Sequence, residues 1–108
     1  MPTESRVLII EDNDVLRVML FTILRHQPLA VDTATTADEA IDKTKTCDYA
    51  LILLDADLPE HDAAEFLRRF ELEHSEASTF IVVVRSAAQR IARGVVQRSI
   101  ERSKRACI

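Results

Sequence analysis

The chain has 108 residues, 47% of them hydrophobic and 30% charged, and a formal net charge of −4. That describes one domain with room for a single real core, and no apolar run reaches the length of a membrane span. From Arg85 onward seven Lys/Arg stand against one acid, Glu101, whereas the first 84 residues hold the other seven bases and 17 acids; an acidic body is a poor face for nucleic acid.

Arg6 to Ile10 is apolar after its first residue, the pattern of a short strand buried on both faces, and it delivers Glu11 and Asp12 to its end. Asn13 or Asp14 is placed to cap a helix over roughly Asp14 to His26, with Val15, Val18, Met19, Thr22 and Ile23 along one stripe and Pro28 after it. Ala30 to Ala34 alternates as an edge strand does. Thr36 with Glu39 makes a capping box for a helix to about Thr46. Tyr49 to Leu54 is the third strand; its apolar run Leu51 to Leu54 leads straight into Asp55, with a second carboxylate at Asp57 and Pro59 turning the chain away. A third helix over about Ala63 to His74 turns Phe66, Leu67 and Phe70 inward, and Phe80 to Val84 is a fourth strand that ends at Arg85-Ser86-Ala87. Past Ala88, Ile91, Val95, Val96 and Ile100 recur at three- and four-residue spacings among arginines, which predicts one amphipathic helix from Gln89 to about Lys104.

Strands alternating with helices at these lengths predict a doubly wound parallel sheet with helices on both faces. In that arrangement the first and third strands are neighbours, so Glu11, Asp12, Asp55 and Asp57 converge at the edge where such sheets bind ligands, with Ser86 at the adjacent strand end. Clustered carboxylates cannot all ionise side by side without a cation, and a hard ion with oxygen ligands, Mg²⁺ before others, resolves the repulsion. With the charge neutralised, one carboxylate can attack a phosphoryl group and hold it; the Ser86 hydroxyl is placed to donate to a phosphate oxygen, and Ala87 leaves the approach clear. The structural alternative is that Asp55 only caps the following turn.

Four stretches resemble the receiver domain of two-component response regulators over residues 6 to 88: Val-Leu-Ile-Ile-Glu-Asp at 7 to 12, Leu-Ile-Leu-Leu-Asp-x-x-x-Pro at 51 to 59, Pro-x-x-Asp at 59 to 62, and Val-Val-x-Ser-Ala at 83 to 87. The resemblance implies a flavodoxin-like α/β fold with strand order 2-1-3-4. It implies Asp55 as phosphoacceptor, taking its phosphoryl group from a sensor histidine kinase or a phosphotransfer protein. Mg²⁺ would be held by Asp12, by Glu11 at least partly through water, by Asp55 and by the backbone carbonyl of Asp57. Ser86 and Ala87 would bind the phosphate and shift on activation. Such a domain is not an enzyme beyond labelling and unlabelling itself.

The pattern also departs from the family. No Lys-Pro pair and no fifth strand or fifth helix follow the fourth strand, so the phosphate-pairing lysine has no counterpart, and Lys104 does not qualify. The family's glycine after Pro-x-x-Asp is Ala63, a change that matters only where a positive φ is needed. An absent fifth strand would leave the fourth with an open edge, which predicts a homodimer through that strand and the tail helix; a tail folded over its own sheet, or a chain cut short or shifted in frame, would explain the same ending. A pseudo-receiver that binds without productive phosphorylation is the first rival reading. A Mg²⁺-dependent D-x-D phosphoryl-transfer enzyme is the second, though the further lysine and acids it needs are not found. The chain is read as a single domain, 1–108, with a matching core at 6–88 and a basic tail at 89–108. Cys47 and Cys107 have neither zinc nor redox spacing, the start at Met1 lacks a signal-peptide core, and a reducing cytoplasm is the expected compartment.

Overall fold

In a computed structural model the chain is described over residues 5–85 and 101–102. The elements run β1 (Ser5–Ile10), α1 (Asp14–Leu24), β2 (Leu29–Ala34), α2 (Ala37–Thr46), β3 (Leu51–Asp55), α3 (Asp62–Glu73), β4 (Phe80–Val84) and β5 (Glu101–Arg102). Strands β2-β1-β3-β4 form the expected parallel sheet in that order. The all-apolar runs occupy its centre because a strand flanked and covered on both sides has no polar face to spare: Val7 to Ile10 are all buried.

The two faces of the sheet are filled unequally. Leu8, Ile10, Ile52, Leu54 and Ile81 alternate onto one face and pack with Ala37, Ala40 and Ile41 of α2 and Phe66 and Phe70 of α3. Val7, Ile9 and Leu53 alternate onto the other, where α1 lies. The stripe that periodicity picks out on α1 is the outer one: Val15 is 75% exposed, Val18 58%, Ile23 55% and Met19 44%, and no residue of the helix is fully buried. Leu16, Leu20 and Leu24 take the inner side instead.

Helix ends follow the local chemistry. Asn13 is the cap of α1, its Oδ1 accepting from the Leu16 N–H at 3.0 Å. Thr36 caps α2 by accepting from the Glu39 N–H at 3.1 Å, while the Glu39 carboxylate reaches back to the N–H of Thr35 at 2.8 Å rather than that of Thr36. The positive φ raised by the Ala63 substitution falls elsewhere. Ala63 is helical and buried, and Glu60 (φ 60°) and His61 (φ 59°) in the 3₁₀ turn Pro59–His61 carry the left-handed backbone.

Beyond β4 the sequence reading needs correction. It ended the sheet there and ran a helix to about Lys104, whereas Glu101–Arg102 pairs antiparallel with β4, Glu101 opposite Val83 and Arg102 opposite Val82. An edge strand presents unpaired N–H and C=O groups, and a two-residue return strand satisfies part of that edge. Among the described residues, the strand paired with the outer edge of β4 is antiparallel. The rest of the tail helix, with Ser86, Ala87, Lys104 and Cys107, lies outside the described residues. Phe80, at the start of β4, is 47% exposed, and His74, just after α3, is half-buried and stacks on Phe70 at 4.7 Å.

Candidate functional site at the carboxyl edge of the sheet

Register places the site. Ile10 of β1 is paired with Leu54 of β3, so the next residues out, Glu11 and Asp55, are side by side where the strands emerge. The ladders continue one step past the strands and hold both backbones: the Glu11 N–H donates to Ala34 O at 3.0 Å, and the Ala56 N–H to Val84 O at 2.7 Å. By alternation both side chains point to the α1 side. Strand order reverses here, β2 lying on one side of the β1–β3 pair and β4 on the other, the switch point at which open sheets bind ligands.

Carboxylate oxygens of Glu11, Asp12 and Asp55 all lie within 4.8 Å of one another; Glu11 and Asp55 are buried and Asp12 is exposed. Burial first, and then a hydrogen bond shared with Asp55, push the Glu11 carboxyl up to about 8. Burial also raises Asp55, against the bonds it accepts, one of them from the Asp57 N–H to its Oδ1 at 2.9 Å. Two desolvated acids this close share a proton at neutral pH unless a cation replaces it. Three convergent oxygens, two of them buried, are a donor set that fits a hard divalent ion. Asp57 is half-buried and its carboxylate belongs to no described cluster of three, though its charge adds to the rise at Asp55. Ser86 and Ala87, the remaining predicted site residues, follow β4 immediately but lie outside the described residues.

Sequence reasoning missed the groups that hold the loop carrying Glu11 and Asp12. The Asn13 N–H donates to Glu11 Oε2 at 3.2 Å. Arg17, on the first turns of α1, donates from Nη1 to the Glu11 carbonyl at 3.3 Å and from Nη2 to Asp14 Oδ1 at 2.6 Å. The Asp14/Arg17 spacing is a legible i,i+3 pair; the bond back to the strand end is not. Asp62 was legible only as a motif letter, and its carboxylate accepts from the first N–H of α2 (Ala37 N) at 2.8 Å, tying the start of α3 to the start of α2. Below the acids, Ile9, Leu16, Met19, Leu20, Leu53 and Val84 line an open cleft, with Arg85 on its wall.

Fold and site together define a doubly wound α/β module with three convergent carboxylates at its switch point. The family model for the response regulator receiver domain matches residues 7–101. The chain belongs to that family, whose members are signalling modules. The cell cycle response regulator CtrA of Brucella ovis is 35% identical over 83 residues, 77% of this chain and 35% of CtrA. The transcriptional regulatory protein PmrA of Pectobacterium parmentieri is 32% identical over 80 residues, 74% of this chain and 36% of PmrA. The chain thus spans about a third of the length of these curated relatives. Among solved structures, the response regulator TrrA of Thermotoga maritima in complex with Mg²⁺ and BeF has the same fold, with a TM-score of 0.67 at 22% identity over 82% of this chain and 75% of that one. The complex of TrrA with the histidine kinase ThkA also matches, at a TM-score of 0.66 and 24% identity over 76% and 69%. Among the described residues, no helix is long and apolar enough to cross a membrane.

Proposed function

We propose that the chain relays a two-component signal by accepting a phosphoryl group on Asp55 from a sensor histidine kinase or phosphotransfer protein. The observation that carries this reading is the buried Asp55 carboxylate beside Glu11 and Asp12 at a strand-end switch point. Glu11, Asp12, Asp55 and the Asp57 carbonyl would hold Mg²⁺, which when bound supplies neutralising charge for the acids and for phosphate oxygens. Asp55 is oriented by the Asp57 N–H, which fixes Oδ1. An Asp55 oxygen attacks phosphorus as the bond from phosphorus to the donor nitrogen breaks, and the electron pair leaves with the donor. Ser86 and Ala87 are the residues we assign to the phosphate and the switch. The new charge of about −1.5 to −2 then biases the end of β4. The partners we assign are the phosphodonor protein and a second copy of the chain, in the cytoplasm.

One observation favours a second reading, a pseudo-receiver that binds partners without labelling. No lysine stands at the acid cluster among the described residues; Lys43 and Lys45 are on α2. Intact-mass spectrometry after incubation with acetyl phosphate and Mg²⁺, with Asp55→Asn in parallel, separates the two. A single phosphoryl adduct, absent from the variant, supports the phosphoacceptor reading. A folded protein without adduct supports the pseudo-receiver.

A further inference from the structure

The loop that brings Glu11 and Asp12 to the site is fastened to α1 by one residue. Arg17 closes the first turn of the helix, its backbone N–H donating to Asn13 O at 2.9 Å. Its guanidinium then reaches in two directions, Nη1 to the Glu11 carbonyl at 3.3 Å and Nη2 to Asp14 Oδ1 at 2.6 Å. The Arg17 side chain is 19% exposed, against 84% for Asp14. An ion pair with so exposed a partner contributes little by itself; the bond of consequence is the inward one, to the strand end.

We infer that Arg17 is a positioning residue for the divalent ion: by holding the peptide between Glu11 and Asp12 it sets the convergence of the carboxylates, and so the affinity for Mg²⁺. The inference rests on the Mg²⁺ part of the proposed function. The Glu11 carbonyl and the Asp12 N–H belong to one planar unit, so a bond to that oxygen fixes the direction in which the chain presents Asp12. Glu11 is then tied at both backbone groups, its N–H donating to Ala34 O at 3.0 Å, while its carboxylate accepts from the Asn13 N–H at 3.2 Å. Asp12 is the exposed member of the three acids and has the most freedom to lose. The second arm of the guanidinium sorts the acids of this loop. Glu11 and Asp12 join Asp55 in the cluster, and Asp14 is held by Arg17 instead.

Charge alone makes the opposite prediction. A guanidinium beside a cation site repels the cation, and removing it also leaves Asp14 without its partner. Both changes would draw Mg²⁺ in more tightly. The sign of the change in affinity therefore separates position from charge.

A Mg²⁺ titration of the full chain followed by thermal shift tests this, with folding of each variant checked by circular dichroism. Arg17→Ala is expected to weaken Mg²⁺ binding about tenfold. Arg17→Lys, which keeps the charge but not the planar fork, fails to restore it, and Asp14→Asn, which keeps an oxygen acceptor for Nη2, stays close to the wild-type affinity. Labelling of Arg17→Ala by acetyl phosphate is slow at low Mg²⁺ and returns to the wild-type rate at saturating Mg²⁺. Unchanged or tighter binding in Arg17→Ala overturns the inference. So does full affinity in Arg17→Lys, the variant that carries the test if Arg17→Ala does not fold, and so does a loss in Asp14→Asn as large as that in Arg17→Ala. A wild-type chain that binds no Mg²⁺ overturns it together with the metal site. A wild-type chain that binds Mg²⁺ but takes no phosphoryl group overturns the phosphoacceptor reading alone, and the titration still decides the role of Arg17.

Discussion

Two carboxylate sites in this molecule use the same chemistry with opposite results. On the β1–β2 side of the sheet, Asp32 accepts from the Tyr49 hydroxyl at 2.7 Å and from Arg6 Nη1 at 3.0 Å. Burial pushes Asp32 up, but its two donors win and hold it below the usual carboxylate range. Tyr49 is correspondingly pushed above its ordinary value, by burial and then by the bond to Asp32. At the carboxyl edge, Glu11 and Asp55 are buried beside each other and Asp12, accept from the backbone N–H groups of Asn13 and Asp57, and have both carboxyls raised, Asp55 with the Asp57 charge adding to its rise. A half-buried acid with a cationic donor is a finished structural joint. A buried acid among other acids is an incomplete one, and it is completed by a proton or by a cation from solvent.

The sharpest way to break the contrast is to remove one member of each site. Asp55→Asn abolishes phosphoryl labelling entirely and leaves folding intact, because it deletes charge from an overcharged site; intact mass and a urea melt read the two effects. Asp32→Ala does the reverse. It leaves the buried Tyr49 hydroxyl without its acceptor and lowers stability by about 1–3 kcal/mol, and Tyr49→Phe costs about 1 kcal/mol. Urea denaturation of both variants measures this, and labelling of Asp55 should persist in each.

Acidity separates the sites by sign. Glu11 has a folded value of about 8 against an ordinary 4.5, so between those values the folded state binds more protons than the unfolded one. Metal-free stability therefore falls as pH rises from about 4.5 to about 8, and raised Asp55 contributes in the same direction. Asp32, depressed from 3.8, contributes stability that is present above that value and lost as pH falls through its lower folded value. Thermal melts across pH without divalent ions test both limbs, and Glu11→Gln should flatten the upper one.

Mg²⁺ sharpens the contrast further. At ten times its dissociation constant it should add about 1.4 kcal/mol of stability. Asp12→Asn, which removes the exposed carboxylate of the cluster, should abolish most of that gain, while Asp32→Asn should leave it unchanged; a thermal-shift titration decides. The smallest expected effect concerns backbone strain beside the site. His61 holds φ 59° without a glycine, so His61→Gly should stabilise the fold by about 0.5–1 kcal/mol, read from the same melts.

Much of this arrangement was legible because it is local. The apolar runs at Val7 to Ile10 and Leu51 to Leu54, with acids at their ends, predicted central strands and an acidic edge. Asn13, Thr36 and Glu39 announced their helix ends because a cap bonds only three or four residues away. The α1 stripe shows the limit of the same logic. Periodicity says that a helix has an apolar side, but Leu16, Leu20 and Leu24 define another one, and only packing decided that they face the sheet while Val15, Val18 and Ile23 face out.

By itself, then, the chain's sequence determined the element order, the four-strand parallel sheet and the convergence of Glu11, Asp12 and Asp55, since alternation and strand adjacency follow from local pattern and right-handed crossover. Only the tertiary structure decided the return strand at Glu101–Arg102, the Asp62 cap on α2 and the Asp32–Tyr49–Arg6 joint, along with the left-handed turn at Glu60 and His61. The first three join groups 17 or more residues apart, and no local spacing encodes which distant donor an acid will meet. The turn is set by the need to connect β3 to α3 across a fixed gap rather than by any preference of glutamate or histidine.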